Sequence, residues 1–561
     1  MTTDGRNSNG GSSSAGGGLD LPADPPETGA VKRDLGLVAA VAFALVATVA
    51  HGAGGAAVAP AVPLFAPPQY ELSIPPSPAY VTNMVVADFT GDGLDDVLVA
   101  LGHWPTTEEY PVVLLVNDGA GHLVDQSSSV FQGPVPMTVF PYKWVVADFN
   151  GDKIPDVFIA DTGEDVANPI GAHSPLILSA PGGHLVDATA NLPDQRAYTY
   201  YTDAADVNGD GTIDLYLGNT QTMPPEILLN DGQGHFHIAP GALPAAIDPP
   251  ANVTSGRFAD VNGDGAPDLV VAGADYSAGT PTFHFPPNTF VLLNDGHGHF
   301  SILPNSMPPK PFPMTGEAAD MQVVNLNGDA IPDLLITWMK GGRPGGFYGH
   351  WIQVLIGNGD GTFRDETSTR LPQLDNDGDL IPGLKLVDLN RDGLLDIATQ
   401  LLPINPPPFD PPPPFYLNDG HGGFTPLPAG DNADVGEEYA FVDLDGDGGH
   451  DIVYTTGDYR FLVRREIGAP VSTLYATVGS AGPTLRASDD SSLHLTPGAY
   501  NVVVNDATSR DGFHLIGPGV NRRTSAGFTG RQVWRVRLKP HATYRYVTLR
   551  RPHATTQLRT R

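Results

Sequence analysis

The chain contains no cysteine among its 561 residues. This absence excludes disulfide bonds, zinc sites built from thiolates, and cysteine nucleophiles. Basic residues are also scarce, because 30 Lys and Arg stand against 63 Asp and Glu and give a formal net charge of -33. We therefore expect no nucleic-acid partner, since phosphate contacts need clustered basic side chains. The excess of carboxylates favours the binding of metal cations.

Common signatures of enzymes are missing as well. The sequence has no HExxH zinc motif, no glycine-lysine phosphate loop and no GxSxG nucleophile elbow. Sustained helical periodicity is absent after the first fifty residues, whereas 66 Gly and 55 Pro are typical of short strands joined by turns. We therefore predict an all-β protein without catalytic residues.

Residues 1–68 have little that could be buried in a core. Residues 1–31 are rich in Gly, Ser and Pro, which predicts disorder. The apolar run 35–50 follows Lys32 and Arg33, and its 16 residues are fewer than the roughly 20 that span a bilayer. We predict a secretory signal followed by a linker, with an uncleaved membrane anchor or a buried helix as alternatives. The protein is then secreted or held at the cell surface, and it contacts membrane only through this segment.

One pattern recurs seven times within residues 69–466. An apolar strand runs into an acidic nine-residue loop, and the last residue of the loop, always an aspartate, starts a second apolar strand. The loops are loop 1 (88–96), loop 2 (148–156), loop 3 (206–214), loop 4 (260–268), loop 5 (325–333), loop 6 (388–396) and loop 7 (443–451), at spacings of 60, 58, 54, 65, 63 and 55 residues. Such spacings are typical of four-stranded propeller blades.

The remainder of each repeat supports four strands. A third strand ends in an Asn-Asp-Gly turn, as at Asn230, and a fourth strand begins at Leu123, Phe236, Phe300, Phe363 or Phe424. The seventh repeat lacks a fourth strand after residues 460–465, whereas the strand 69–74 precedes loop 1 without a repeat of its own. We predict that strand 69–74 completes the last blade of a seven-bladed β-propeller.

Each loop offers oxygen atoms at positions 1, 3, 5 and 9 and a backbone carbonyl at position 7. Calcium takes six to eight oxygen ligands, and this spacing can wrap one ion. The predicted ligands are Asp88, Thr90, Asp92, Leu94, Asp96; Asp148, Asn150, Asp152, Ile154, Asp156; Asp206, Asn208, Asp210, Thr212, Asp214; Asp260, Asn262, Asp264, Ala266, Asp268; Asn325, Asn327, Asp329, Ile331, Asp333; Asp388, Asn390, Asp392, Leu394, Asp396; and Asp443, Asp445, Asp447, Gly449, Asp451. We expect up to seven structural calcium ions.

Two alternatives to calcium-binding strand loops are metal-free acidic turns, which stay open, and an EF-hand, which the sequence excludes. Acidic turns without metal would place several carboxylates together at a large electrostatic cost. An EF-hand would need a bidentate Glu at position 12 on an exiting helix, whereas position 12 here holds strand residues such as Val99 and Ile159. Lys153 and Ala330 replace the glycine of position 6, Arg391 replaces that of position 4, and Asn325 removes a charge. We expect the second, fifth and sixth sites to be the weakest.

Stretches such as Asp206-Val207-Asn208-Gly209-Asp210-Gly211-Thr212-Ile213-Asp214 resemble the FG-GAP or VCBS repeat of integrin α-chain propellers and bacterial surface proteins. The resemblance covers residues 69–465 and implies a propeller with structural calcium between the first two strands of each blade. The family contains adhesion proteins, lectins, lyases and dehydratases. We expect a monomeric extracellular binding, adhesion or scaffold protein whose ligand is a protein or glycan. The alternative is a lectin or a carbohydrate-active lyase or dehydratase that uses the propeller mouth.

Residues 467–561 have a different character. Residues 459–561 hold 16 Lys and Arg against 5 Asp and Glu. Alternating stretches at 475–478, 499–504 and 533–538 predict a small β-sandwich. Residues 512–520 and 544–546 resemble bacterial cupredoxin-like domains. With no cysteine, and with Asp511 where the family places a ligand histidine, we expect no copper, and we interpret His514 and His553 as remnants.

Two loops could form recognition surfaces. One joins Trp338 to Trp351 and is rich in Gly and aromatic residues, and the other is the proline-rich stretch 403–414. Such loops suit sugar stacking or peptide capture, although they could equally be insertions packed on their own blade.

Overall fold

The computed structural model divides the chain into a unit of Met1–Pro60 and a unit of Ala61–Arg561. The described residues all lie in the second unit. The predicted signal segment lies outside them, as does the predicted linker up to residue 63, whereas residues 64–68 of that linker are described and Phe65 is buried in a core with Phe415. They are 64–74, 79–103, 107–164, 170–220, 222–247, 253–275, 289–310, 316–329, 331–341, 349–371, 379–390, 394–403, 415–419, 422–427, 435, 438–446, 449–456, 460–466, 472–479, 482–487, 498–506, 512–525, 529–539, 542–548 and 551–559. In these ranges no helix is long and apolar enough to cross a membrane.

Nearly all regular structure is β-strand, as the sequence predicts. Strands up to residue 205 are β1 (Gln69–Ser73), β2 (Tyr80–Ala87), β3 (Asp96–Gly102), β4 (Tyr110–Pro111), β5 (Val113–Asn117), β6 (Leu123–Asp125), β7 (Met137–Thr138), β8 (Pro141–Ala147), β9 (Asp156–Asp161), β10 (Leu176–Ala180), β11 (His184–Asp187) and β12 (Tyr198–Ala205). Three short helical turns are present, namely α1 (Ser127–Val130), α2 (Thr367–Arg370) and a 3-10 turn at Thr189–Asn191.

The remaining strands follow in the same order. Those before residue 427 are β13 (Asp214–Thr220), β14 (Glu226–Asn230), β15 (Phe236–Ile238), β16 (Val253–Ala259), β17 (Asp268–Asp275), β18 (Thr289–Asn294), β19 (Phe300–Leu303), β20 (Gly316–Val324), β21 (Asp333–Lys340), β22 (Gly349–Gly357), β23 (Phe363–Asp365), β24 (Asp379–Val387), β25 (Asp396–Pro403), β26 (Phe415–Asn418) and β27 (Phe424–Pro426). The last are β28 (Tyr439–Val442), β29 (Asp451–Thr456), β30 (Arg460–Arg464), β31 (Ser472–Gly479), β32 (Gly482–Ala487), β33 (Gly498–Asp506), β34 (Phe513–Gly517), β35 (Val520–Arg523), β36 (Gly530–Leu538), β37 (Thr543–Thr548) and β38 (Arg551–Arg559).

Strands β1 to β30 form antiparallel meanders that resemble propeller blades. We name them sheet 1 (β2, β3, β5, β6), sheet 2 (β8 to β11), sheet 3 (β12 to β15), sheet 4 (β16 to β19), sheet 5 (β20 to β23), sheet 6 (β24 to β27) and sheet 7 (β28, β29, β30, β1). Sheets 4 and 5 are joined through a short pairing of β17 with β20. The fold is therefore all-β and propeller-like, as predicted.

The predicted orphan strand joins the end of the repeat region. Strand β1 pairs antiparallel with β30, with Gln69 opposite Val463 and Ser73 opposite Arg460. The N-terminal strand thus supplies the fourth strand of sheet 7, and it covers an edge of β30 that would otherwise expose unpaired backbone groups.

Hydrophobic cores lie between successive sheets. In one of them Phe149 and Phe158 of sheet 2 pack with Leu215 and Phe236 of sheet 3. Corresponding cores join sheets 1 and 2, 3 and 4, 4 and 5, 5 and 6, and 6 and 7. A further core contains Val97 and Leu115 of sheet 1 together with residues of sheet 7, among them Phe461. Burial between faces, rather than within one sheet, therefore holds these sheets together.

The C-terminal residues form two additional four-stranded sheets. One has the order β32-β31-β33-β36 and the other β35-β34-β37-β38. Both contribute to one core, in which Val502 and Trp534 of the first sheet lie with Phe513 and Tyr544 of the second. Two sheets sharing a core match the predicted sandwich, and its likeness to cupredoxin domains stays a prediction.

Candidate metal centre

The predicted loops connect the first two strands of sheets 1 to 7. Position 9 of each loop is the first residue of the second strand, as the sequence predicts: Asp96, Asp156, Asp214, Asp268, Asp333, Asp396 and Asp451. All other predicted ligands precede that strand. Asp392 and Asp447 lie outside the described residues.

Loop 3 shows how position 1 shapes the loop. Asp206 Oδ1 accepts the backbone N–H of Gly209 at 2.8 Å, and Asp206 Oδ2 accepts that of Gly211 at 2.9 Å. Both glycines have positive φ angles, of 75° and 90°, which residues with a Cβ rarely adopt. Loops 2 and 4 repeat both contacts with Asp148 and Asp260. In loop 1, Asp88 accepts the N–H groups of Asp92 and Gly93 at positions 5 and 6. The first carboxylate therefore folds the chain around itself.

In loop 3, positions 3 and 5 lie close together, position 3 half-buried and position 5 exposed. Asn208 Nδ2 donates to Asp210 Oδ2 at 2.9 Å, and Asp210 Oδ1 accepts the hydroxyl of Thr212 at 2.6 Å. The Thr212 hydroxyl bond favours the carboxylate and lowers the pKa of Asp210, although desolvation opposes it. The charged form of Asp210, which a cation needs, is thus favoured.

Position 9 is buried and ties the loop to the third strand. Asp214, which is fully buried, accepts the N–H of Val207 at 3.1 Å and the N–H of Asn230 at 2.9 Å, one on each oxygen. The same two-sided contact recurs at Asp156, Asp268, Asp333 and Asp396. Burial raises the pKa of Asp214 to about 6, although these N–H bonds oppose the shift.

Other position-9 aspartates are shifted in the same direction. Burial raises the pKa of Asp96, Asp156 and Asp268 to about 6. A nearby positive charge would favour the ionised form of these carboxyls. The donor set is made of hard oxygens, so its chemistry fits calcium or a similar divalent ion. Among the described residues, however, the His, Asp and Glu side chains form no group of three that could hold a metal ion.

Loop 2 departs from this arrangement in two ways. Lys153 at position 6 has a φ of 74°, where loops 1, 3 and 4 have glycine. The Ser179 hydroxyl bonds to Asp152 at 3.0 Å and to Asp156 at 2.7 Å, so it connects positions 5 and 9. Loop 2 thus carries backbone strain and an internal polar bridge. That its metal site is among the weakest stays a prediction.

The turn after the third strand also contacts the loop of the preceding sheet. Asn230 Nδ2 of sheet 3 donates to the carbonyl of Phe149 in loop 2 at 2.8 Å, and Asn294 Nδ2 of sheet 4 donates to that of Val207 in loop 3 at 2.8 Å. Sequence reasoning assigned this asparagine only to a tight turn. Its carboxamide also fastens loops 2 and 3 from outside, since it reaches position 2 of the neighbouring loop.

A second polar cluster joins the first strands of sheets 2 to 6. Asp320 on β20 is 1% exposed and accepts the hydroxyl of Tyr201 on β12 at 2.7 Å. Lys143 Nζ on β8 lies 3.3 Å from the Asp320 carboxylate. The N–H of Leu384 on β24 donates to the same carboxylate at 2.8 Å. Burial opposes ionisation of Asp320, but Lys143 and Arg257 outweigh it and lower its pKa.

We call this group the axial cluster, and its positive and negative side chains pair with one another. Arg257 on β16 pairs with Asp203 at 3.0 Å and lies over the Tyr201 ring at 5.2 Å. Side chains from sheets that are not neighbours in sequence meet here, so the first strands converge on a common axis. The sequence analysis missed the cluster because its members come from strands far apart in the chain.

Three segments match the family model described as FG-GAP-like repeat: residues 88–159, 206–271 and 325–399. Each match begins at position 1 of loop 1, 3 or 5 and ends in the strand after loop 2, 4 or 6. Loop 7 is not included in these matches.

The chain is similar to the T-cell immunomodulatory proteins of two rodents. It is 30% identical to that of Rattus norvegicus over 225 residues, which are 37% of this chain and 32% of the relative. It is 28% identical to that of Mus musculus over 223 residues, again 37% and 32%. The chain thus spans about a third of the length of these curated relatives.

Among solved structures, one match is the V. cholerae biofilm matrix protein Bap1. The identity is 12% and the TM-score 0.30, with 88% of this chain and 69% of that chain covered. A TM-score this low carries no argument. The family match is the informative finding: the chain contains FG-GAP-like repeats in three places, each covering two of the acidic loops.

Proposed function

We propose that the protein is a calcium-stabilised, seven-bladed β-propeller that acts outside the cell as a binding or adhesion protein. The observation that carries this proposal is the repetition of one loop geometry at the start of each second strand. Position 1 folds the loop, positions 3 and 5 present oxygens at its surface, and position 9 is buried behind them.

The cores between sheets support a closed ring. Each core joins two successive sheets, and the core containing Val97 and Phe461 joins sheet 1 to sheet 7. The pairing of β1 with β30 falls at the same junction. A ring of seven blades accounts for both features, because it leaves sheet 7 beside sheet 1.

Calcium would neutralise the loops. Each loop carries two to four carboxylates within nine residues, and their mutual repulsion would fall if a divalent ion lay among them. The ion would add stability without taking part in chemistry, since ligands that bind only the folded state stabilise it by mass action. We propose that Asp88, Asp206 and Asp260, with the position-9 aspartates behind them, hold the best sites.

The relatives support a role at cell surfaces. FG-GAP-like repeats and proteins named for immunomodulation suggest an extracellular adhesion or binding protein. We propose a protein or glycan ligand for this chain and secretion or surface display as its location. The axial cluster adds no support for an enzyme, because its described charges are satisfied by each other.

The experiment is a binding screen with the full chain. Labelled protein is applied to a glycan array and to intact cells, in calcium and in excess chelator, with product analysis of any bound sugar. We expect calcium-dependent binding without turnover. The control is the double variant Asp206→Asn and Asp260→Asn. It should bind ligand more weakly than the wild-type chain in calcium and should bind as the wild-type chain does in chelator. Binding that ignores calcium, or conversion of the bound sugar, would contradict the proposal.

A further inference from the structure

Loop 7 differs from the other loops in the residue opposite its last aspartate. The strand register places Asp451, at position 9, across from Arg465, because Ile452 pairs with Arg464. By the same registers, the opposing residues in repeats 1 to 6 are aliphatic: Val116, Leu178, Leu229, Leu293, Ile356 and Leu417. Only loop 7 therefore has a cationic side chain in this position.

The guanidinium lies directly on the buried carboxylate. Arg465 Nη1 is 2.7 Å from Asp451 Oδ2, and the two side chains are 22% and 5% exposed. Asp451 Oδ1 accepts the N–H of Glu466 at 2.9 Å. Both oxygens of Asp451 are thus engaged, one of them by a full positive charge.

The bond from the loop backbone to this carboxylate is also the longest of its kind. The N–H of Leu444 lies 3.4 Å from Asp451 Oδ2, whereas the corresponding bonds to Asp156, Asp333, Asp396, Asp214 and Asp268 are 2.7, 2.8, 2.8, 3.1 and 3.2 Å. In loop 7 the arginine therefore shares the oxygen that accepts the backbone N–H of the loop.

Arg465 also reaches the next sheet. Its Nη2 donates to the carbonyl of Gly121, which belongs to the turn after the third strand of sheet 1. At this junction the usual asparagine bond is long, with Asn117 Nδ2 at 3.4 Å from the Leu444 carbonyl, against 2.8 Å for Asn230 and Asn294. The guanidinium thus connects sheet 7 to sheet 1 where that bond is weakest.

We propose that Arg465 is the resident cation of loop 7 and that this loop takes no calcium ion, in contrast to the other loops. The inference rests on the proposed function, in which those loops bind calcium. A divalent ion beside Asp451 would meet both the repulsion of the guanidinium and a carboxylate whose charge is already neutralised. The junction of sheets 7 and 1, where β1 pairs, is then held together without metal.

The experiment counts calcium ions per full-length chain by equilibrium dialysis and mass spectrometry of the metal. Asp443→Asn alters position 1 of loop 7 and should leave the count of the wild-type chain unchanged. The matched variant Asp206→Asn, at position 1 of loop 3, should lose about one ion per chain. Loss of an ion from Asp443→Asn would overturn the inference.

A gain-of-site variant tests the same point from the other side. Arg465→Leu places the aliphatic residue of the other repeats opposite Asp451, and we expect about one additional ion per chain, which Asp443→Asn then removes. Arg522→Leu, an exposed arginine on β35, controls for the change in charge and should leave the count unaltered. An unchanged count for a folded Arg465→Leu would overturn the inference.

The outcomes separate the two proposals. If the wild-type chain binds no calcium and Asp206→Asn leaves that count unchanged, both the proposed function and the contrast between loop 7 and the other loops are contradicted. If the wild-type chain binds calcium and each single variant, Asp206→Asn and Asp443→Asn, loses an ion, the proposed function is supported and only the inference about Arg465 is contradicted.

Discussion

At the scale of single residues, the spacing of the loops predicted where each second strand would begin. Position 9 begins a strand in every repeat, and Asp96, Asp214 and Asp268 are fully buried. The sequence could not show that these carboxylates bond to backbone N–H groups of the third strand. That contact depends on the register between strands, which the local pattern does not contain.

The backbone at position 6 illustrates a cost that the sequence did predict. Gly93, Gly211 and Gly265 have φ angles of 89°, 90° and 92°, and Lys153 has 74° at the same place in loop 2. A residue with a Cβ in this region costs about 1 kcal/mol. A glycine at position 6 should therefore stabilise loop 2.

We expect Lys153→Gly to raise the free energy of unfolding by about 1 kcal/mol in the presence of calcium, because it removes this strain. Chemical denaturation measures the change. Lys153→Ala is the control, since it removes the charge but keeps the Cβ, and it should bring no gain. Equal stabilisation by both variants would mean that the lysine charge, and not the backbone, weakens loop 2.

At the scale of strands and turns, most of each repeat followed from the pattern. Fourth strands begin at Leu123, Phe236, Phe300, Phe363 and Phe424, where the sequence predicted them. Repeat 2 has no Asn-Asp-Gly turn, and its third and fourth strands, β10 and β11, were not predicted individually. Gly182 and Gly183, at φ angles of 89° and 75°, make that turn instead.

The turn asparagine should stabilise the contact between sheets. Asn294 is 4% exposed, and its Nδ2 donates to Val207 in loop 3 and to Pro267 in loop 4 at 2.8 and 3.1 Å. We expect Asn294→Ala to lower the free energy of unfolding by about 2 kcal/mol, because buried carbonyls lose their donor. Denaturant titration would measure this.

The matched control is Asn358→Ala in the turn of sheet 5. Asn358 is exposed, and its Nδ2 donates to the hydroxyl of Thr362 at 2.9 Å within the same turn. Its loss should change stability by less than about 0.5 kcal/mol. Similar losses from both variants would contradict a role for the turn in fastening the neighbouring loop.

At the scale of the whole repeat region, the axial cluster connects sheets that are far apart in sequence. Lys143, Tyr201 and Asp320 belong to sheets 2, 3 and 5, and Asp320 is almost completely buried. No spacing rule could have predicted this cluster, since its members lie on strands that are far apart in the chain and share no repeated motif.

We expect Lys143→Met to lower the free energy of unfolding by about 3 kcal/mol, because it leaves the buried Asp320 carboxylate without its lysine partner. Arg364→Met is the comparison, since Arg364 pairs with Glu366 at the surface and should contribute little. Thermal and chemical unfolding would measure both. An unaffected Lys143→Met chain would show that the cluster does not hold the first strands together.

The central claim is that the acidic loops depend on a divalent cation, and thermal unfolding of the full chain with and without a calcium chelator tests it most directly. The account predicts a melting temperature lower by roughly 10 °C in chelator, restored by added calcium, because the ions bind only the folded state. A melting temperature that is the same in calcium and in chelator would contradict it.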